Sequence, residues 1–252
     1  MIPNFIFIIP YRNRIQHKYF FDTYIKKVLE DISSNEYEIY YSEQCDNLSF
    51  NRGAMKNIGF LAMKNKYPEH YKNITFVFND VDCMPYKKNI ITYPTKINTI
   101  KHFYGFEHVL GGIVSVTGYD FEKMNGFPNF WTWGYEDNLL YDRALEKKIN
   151  VDRNIFFKMN DSNILHFYHG NTRNHDIKLK PRNIYYKNNG ITSIYNIDYK
   201  IENEMIKINS FKIYNDSKPQ KIESIDITNI QYLNQKKYIN DRCKNPRFRM
   251  GI

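Results

Sequence analysis

Asp80 and Asp82 stand one residue apart at the end of an apolar run, Phe76-Val77-Phe78-Asn79-Asp80-Val81-Asp82. Carboxylates this close repel unless a positive partner joins them, and a divalent cation serving an anionic substrate is the economical partner. A solvated acidic turn is the competing reading of so short a motif. His166 and His169, three apart on one segment, have the spacing to reach a single metal ion. Arg12 and Arg14, just past Pro10 and Tyr11, are of the type that grips phosphates through paired hydrogen bonds. Phe50-Asn51-Arg52-Gly53 opens an amphipathic segment, which suits a nucleotide: phosphate near the helix amides, base on the ring. Both tryptophans, Trp131 and Trp133, fall just before Glu136 and Asp137. Rings beside carboxylates hold a sugar, the ring covering C–H faces while the acids take hydroxyls. Acids in a helix's first turn also answer to the helix dipole.

These groups need a scaffold that gathers them. Residues 74–78 read as a buried strand of a parallel sheet, whose C-terminal end is where open α/β sheets place ligands. A strand over 4–9, a helix over 15–32, a strand over 37–41 and a helix capped by Asn51 precede it. Strand-helix-strand-helix-strand implies an α/β, Rossmann-like, mostly parallel sheet. Residues 85–108 show no period. Gly111-Gly112 precedes a strand over 113–116, and paired glycines there imply close backbone approach or a bulge. Thr117 caps a short helix over 118–124, ended by Asn125-Gly126, and a further helix runs on from Glu136-Asp137. Residues 170–187 read as a charged loop, and 191–199 with 205–213 as a hairpin or edge strands. The expected division is a catalytic domain over 1–215 and a basic extension over 216–252.

The chain has 252 residues, 42% of them hydrophobic and 17% aromatic, enough for one large core. The net charge of +9 suits a nucleotide-sugar, a phosphorylated substrate or an anionic membrane face. Much of it comes from lysines in a chain also rich in Asn, Ile and Tyr, so no nucleic acid partner is expected. No stretch approaches the about 20 apolar residues that span a bilayer, and the N-terminus does not read as a signal peptide. Cys45, Cys83 and Cys243 lack metal spacing and leave one over. A cytoplasmic, reducing location is the expectation. The basic tail is read as a clamp for a partner, a membrane surface or the acceptor.

Taken in order, these motifs resemble the β-1,4-galactosyltransferase family, of GT-A fold. The resemblance runs through Ile8-Ile9-Pro10-Tyr11-Arg12-Asn13-Arg14, Phe50-Asn51-Arg52 with Asn57-Ile58-Gly59-Phe60, and Asp80-Val81-Asp82. It continues through Gly111-Gly112-Ile113-Val114-Ser115, Asn125-Gly126-Phe127-Pro128-Asn129, Trp131 to Asp137 and the histidine segment 166–169, with a fainter echo at 190–195. It implies a GT-A sheet with a small C-terminal β extension and an inverting, β-forming transfer from a UDP-sugar to a glycan or glycoconjugate hydroxyl. Mn2+ is the implied cofactor, with Mg2+ or another divalent ion as substitute. On that pattern Asp82, His166 and His169 hold the metal, with His166 where many members place a methionine. Arg12, Arg14 and Arg52 meet the diphosphate or uridine, Phe50 lies against uracil, and Pro10, Tyr11, Asp80, Val81 and Gly112 complete the donor site. Asp137 is the general base and Glu136 holds acceptor hydroxyls. Trp133 sits on a small loop that closes with 170–187, and Tyr135 borders the acceptor mouth.

Two departures carry expectations. Tyr135 replaces a glycine of the common motif. Val109 stands where galactose-transferring members carry a tyrosine, which opens room at C2 of the donor for an N-acetyl group. Two other classes compete: a two-metal nucleic-acid enzyme built on Asp80, Asp82, Glu136 and Asp137, and a non-catalytic sugar-binding module.

Overall fold

The computed structural model describes residues 1–167 and 188–214. In chain order the elements are β1 (Phe5–Tyr11), α1 (Ile15–Val28), β2 (Tyr37–Gln44), α2 (Arg52–Lys66), β3 (Thr75–Asn79), β4 (Cys83–Pro85), β5 (Thr99–Gly105), β6 (Ile113–Thr117), α3 (Gly118–Lys123), α4 (Glu136–Glu146), β7 (Asn150–Asp152), β8 (Phe157–Lys158), β9 (Ile164–His166), β10 (Ile194–Glu202) and β11 (Met205–Ile213). His169, the loop over 170–187 and the basic run over 217–252 lie outside the described residues.

β1 is buried along its whole length because both faces of the sheet are covered. Ile6 and Ile8 pack with Met55 and Ile58 of α2, whereas Phe5, Phe7 and Ile9 pack with Phe21 and Ile25 of α1. The period-two geometry of a strand thus sends successive side chains into two separate cores. β3 repeats the division, with Phe76 and Phe78 in one core and Val77 in the other.

The nine-stranded sheet runs β10-β11-β2-β1-β3-β6-β5-β7, with β8 also on β5. β1 pairs in parallel with β2 and β3, β2 with β11, and β5 with β7 and β8. The antiparallel pairs are β3 with β6, β5 with β6, and β10 with β11. From β1 the chain moves outward through α1 to β2, then returns through α2 to β3 on the other side of β1. Order therefore reverses between β1 and β3, and a crevice opens beyond their C-terminal ends, where such sheets bind ligands.

Several boundaries differ from the sequence expectation: α1 stops at Val28, short of 32, and β2 runs on to Gln44, past 41. β5 lies inside the stretch that showed no period, because it is buried on both faces and carries Lys101 and His102 in its middle. β1 runs two residues further, pairing Pro10 with Ser42 and Tyr11 with Glu43, and β3 has already ended on its other side, so the missing N–H of Pro10 leaves no gap there. The expected C-terminal β segments are present as the antiparallel pair β10–β11, with β11 joined to the main sheet beside β2 and β10 at its edge.

Candidate active site

The N-terminus of α2 is pinned before any ligand is considered. Asn51 donates its backbone N–H to Gln44 Oε1 at 2.8 Å, and its side chain accepts from Ala54 N–H at 2.9 Å. This N-cap aims Arg52 at the end of β3. Arg52 Nη2 donates to both Asp80 oxygens at 2.7 and 2.9 Å, and Nε donates to Oδ1 at 3.2 Å. Its Nη1 reaches Asp137 at 3.1 and 3.2 Å. One guanidinium therefore ties the end of β3 to the start of α4. Burial alone would lower the Arg52 pKa, but Asp137, Asp80 and Glu136 outweigh it and hold it well above the ordinary value. Burial likewise opposes ionisation of Asp80, and the charges of Arg52 and Lys56 overcome it, holding the carboxyl below its usual range.

The two carboxylates of the Asp-x-Asp motif separate. Asp82 turns to Arg14, whose Nη1 donates to Oδ2 at 3.2 Å, while Val81 between them is buried in the core. Asp80 thus meets Arg52 and Lys56, whereas Asp82 meets Arg14. A two-metal centre on Asp80, Asp82, Glu136 and Asp137 has no support here, since Asp80 and Asp137 gather around Arg52 and Lys56.

Sequence reasoning missed Lys56. It is 1% exposed, with Nζ 3.6 Å from Asp80 Oδ1, 3.7 Å from Asp137 Oδ1 and 4.4 Å from the centroid of the Phe127 ring. A lysine on an amphipathic helix is ordinarily expected to face water. The signal was present: Lys56 follows Arg52 by four residues, which puts both on one helix face.

The loop before α4 carries its two tryptophans differently. Trp131 stacks on Phe211 of β11, ring centroids 5.2 Å apart, so it anchors the loop and is no open platform for a sugar. Trp133 and Tyr135 are exposed. Tyr135 takes φ +67°, the left-handed conformation that glycine adopts without strain, which accounts for a glycine in the common motif. Glu136 is buried and its Oε2 accepts Gly134 N–H at 2.9 Å. Burial raises its pKa, Arg52 opposes that, and neighbouring Asp137 adds to it.

Gly111 and Gly112 close the far wall. A Cβ on Gly111 would lie 2.3 Å from Asp137 Oδ2, and one on Gly112, at φ +72°, 2.4 Å from the Tyr104 carbonyl. Backbone bonds tie this wall to both carboxylate segments: Asp80 N–H donates to Gly112 O at 3.1 Å and Leu110 N–H to Asp137 O at 3.0 Å. His102 Nε2 lies 3.0 and 3.1 Å from the carbonyls of Tyr104 and Gly111, and its Nδ1 accepts from Arg153 Nε at 3.0 Å. Burial and the nearby Arg153 charge lower its pKa to about 4, so it is a neutral ring that donates to the wall.

For a metal, β4 and β9 matter. They pair Cys83 with His166, and Phe167 N–H donates to the Asp82 carbonyl at 2.8 Å, which sets Asp82 and His166 on neighbouring backbones. His166 Nδ1 lies 2.9 Å from the Tyr104 hydroxyl. With the proton on Nδ1, Nε2 keeps the lone pair a metal takes. A carboxylate and an imidazole fit a divalent transition ion. Among the described residues, no group of three or more His, Cys, Asp or Glu is arranged to hold one.

The remaining expected donor contacts divide. Arg12 donates to the carbonyls of Asp46 and Leu48, so its guanidinium fastens the loop ahead of Phe50. Tyr11 is buried, edge-on to Tyr41, and Pro10 is buried beside it, leaving backbone as the surface they offer. Phe50 is half-buried against the α2 core.

A model described as the N-terminal region of glycosyl transferase group 7 matches residues 3–94, and one described as the N-terminal domain of galactosyltransferase matches residues 93–170. The Caenorhabditis elegans xylosylprotein 4-beta-galactosyltransferase is 27% identical over 213 residues, 79% of this chain and 72% of that protein. Human beta-1,4-galactosyltransferase 1 is 31% identical over 156 residues, 58% of this chain but only 38% of that protein. The catalytic domain of Drosophila beta-1,4-galactosyltransferase 7, solved with xylobiose, aligns with TM-score 0.67 and 22% identity over 85% of this chain and 96% of that one. A mutant of the fly enzyme, solved with manganese, UDP-Gal and xylobiose, aligns with TM-score 0.63 and 20% identity over the same shares. The mostly parallel sheet has the GT-A fold. The chain belongs to the glycosyltransferase group 7, or β-1,4-galactosyltransferase, family.

Proposed function

We propose that this enzyme moves a hexose or N-acetylhexosamine, galactose or N-acetylgalactosamine, from a UDP-sugar to a glycan or glycoconjugate hydroxyl, with inversion, to give a β-linkage. The observation that carries the reading is the ion cluster in which Arg52 joins Asp80 to Asp137. A donor-side carboxylate and a base-side carboxylate thereby sit on opposite flanks of one buried cation. The complex of the fly relative with manganese, UDP-Gal and xylobiose supports it.

The roles follow from position. Arg14 and Arg52 turn from their carboxylates to the diphosphate when the donor arrives, since phosphate and carboxylate compete for the same guanidinium geometry. Asp137, then less encumbered, accepts the proton of the acceptor hydroxyl as that oxygen attacks C1 from the face opposite UDP. Glu136, held by Gly134 N–H, shapes the floor for acceptor hydroxyls, and Trp133 and Tyr135 offer rings at the mouth. Asp82 and His166 would hold Mn2+, with His169 as the third ligand. When bound, the ion offsets charge growing on the leaving diphosphate.

Thermal denaturation tests the reading. UDP and Mn2+ together, at about 100 times the dissociation constant, contribute about 2.7 kcal/mol, which raises Tm by about 5–10 °C for a domain of this size. Either alone gives a small fraction of that. No shift with both present overturns the proposal.

Val109 sharpens the donor. It is buried beside the glycine wall, and its small side chain leaves room at C2. The expected result is transfer or hydrolysis with UDP-GalNAc at a rate within about tenfold of UDP-Gal, the scale on which one filled or emptied pocket discriminates. Strict use of UDP-Gal in a donor panel removes this part of the proposal.

A further inference from the structure

We propose that Lys56 is a positioning residue: a resident cation that keeps Asp80 and Asp137 in their working pose once Arg52 has turned to the donor. The inference rests on the reading of Asp137 as base.

Lysine is almost never fully buried unless paired, and Lys56 is 1% exposed. Its ammonium has Asp80 and Asp137 on one side, at 3.6 and 3.7 Å, and the Phe127 ring on the other. The centre thus holds two cations, Arg52 and Lys56, against the carboxyls of Asp80, Glu136 and Asp137. Arg52 already spends its three nitrogens on Asp80 and Asp137. When it swings to phosphate, those carboxylates lose their main partner, and like charges at this range drive one another apart or out of the ionised form. Lys56 cannot follow the donor, because its stem lies within the wholly buried stretch of α2 from Gly53 to Phe60. It stays between the two aspartates and holds them through the cycle.

Removing the lysine alone leaves Asp80 and Asp137 short of one cation, a loss that falls on stability as well as on pose. The split between kcat and KM, and rescue by arginine, separate a positioning role from a structural one. The test uses the full chain with Mn2+ and measures hydrolysis of UDP-Gal and UDP-GalNAc for Lys56→Met, Lys56→Arg, Asp137→Asn and the Lys56→Met/Asp137→Asn double variant. Lys56→Met is expected to lower kcat about 10- to 100-fold, the scale of a reacting group misplaced by an ångström, with donor KM changed less than about threefold. Lys56→Arg restores a substantial part of kcat. In the Asp137→Asn background, Lys56→Met adds less than about twofold. A kcat for Lys56→Met equal to wild type, equal losses in Met and Arg variants, or failure of both to fold assigns Lys56 to structure and overturns the inference. If Asp137→Asn keeps the wild-type rate, the base reading falls instead. An inactive Asp137→Asn beside a fully active Lys56→Met removes the Lys56 inference alone.

Discussion

Asp137→Asn is expected to lower transfer by about three orders of magnitude, in line with the loss of a general base, while the joint Tm shift from UDP and Mn2+ persists. The substitution keeps shape. The amide oxygen still accepts from Arg52 Nη1, which now lies 3.1 Å from Asp137 Oδ1. Backbone contact with the glycine wall is also untouched, because Leu110 N–H bonds the carbonyl of Asp137 and not its side chain. What disappears is the capacity to take a proton. Single-turnover transfer, read beside the thermal shift, separates chemistry from binding, and an unchanged transfer rate sinks the assignment.

Asp82→Ala should do the reverse. Metal-dependent UDP affinity is expected to fall at least about 100-fold, the upper range for changes even in a ligand's supporting partners, and the Tm shift with UDP plus Mn2+ collapses to that of UDP alone. The fold should tolerate the change. Asp82 serves the β4–β9 pair through its carbonyl, which accepts Phe167 N–H, and alanine retains that bond. The carboxylate contributes the contact to Arg14 at 3.2 Å and an oxygen for the ion. Calorimetric titration of UDP with and without Mn2+ reads the difference, and a metal-dependent affinity that survives the substitution transfers the ligand role elsewhere.

These two aspartates show what was legible in the sequence. Strands β1 and β3 announce themselves because both faces are covered, which turns a strand into an unbroken apolar run. Caps at Asn51 and Thr117 were equally readable, since their side chains make the expected bonds to Ala54 and Asp120 N–H. The switch point then follows from the element order, and with it the place of Asp80. β5 stayed hidden because Lys101 and His102 interrupt its apolar character, although His102 is itself buried by bonds to Arg153 and two carbonyls. Lys56 stayed hidden because a charge on a helix is ordinarily read as facing water. The partners of Arg12 were equally unreadable: two main-chain carbonyls, of Asp46 and Leu48, accept from it. Spacing reveals which residues share a neighbourhood. It does not reveal which of several available acceptors a guanidinium meets.

The place of β11 has a consequence for the nascent chain. β2 is the second strand made, but its outer neighbour spans Met205–Ile213 and pairs Met205 with Tyr41. Through most of synthesis, then, one side of β2 presents unpaired amides and carbonyls, the kind of edge that recruits foreign strands. Trp131 waits on the same event, since its stacking partner Phe211 belongs to β11. The stacking of Trp131 on Phe211 therefore forms only once β11 has been made, and a chain released earlier lacks that contact and leaves one edge of β2 open.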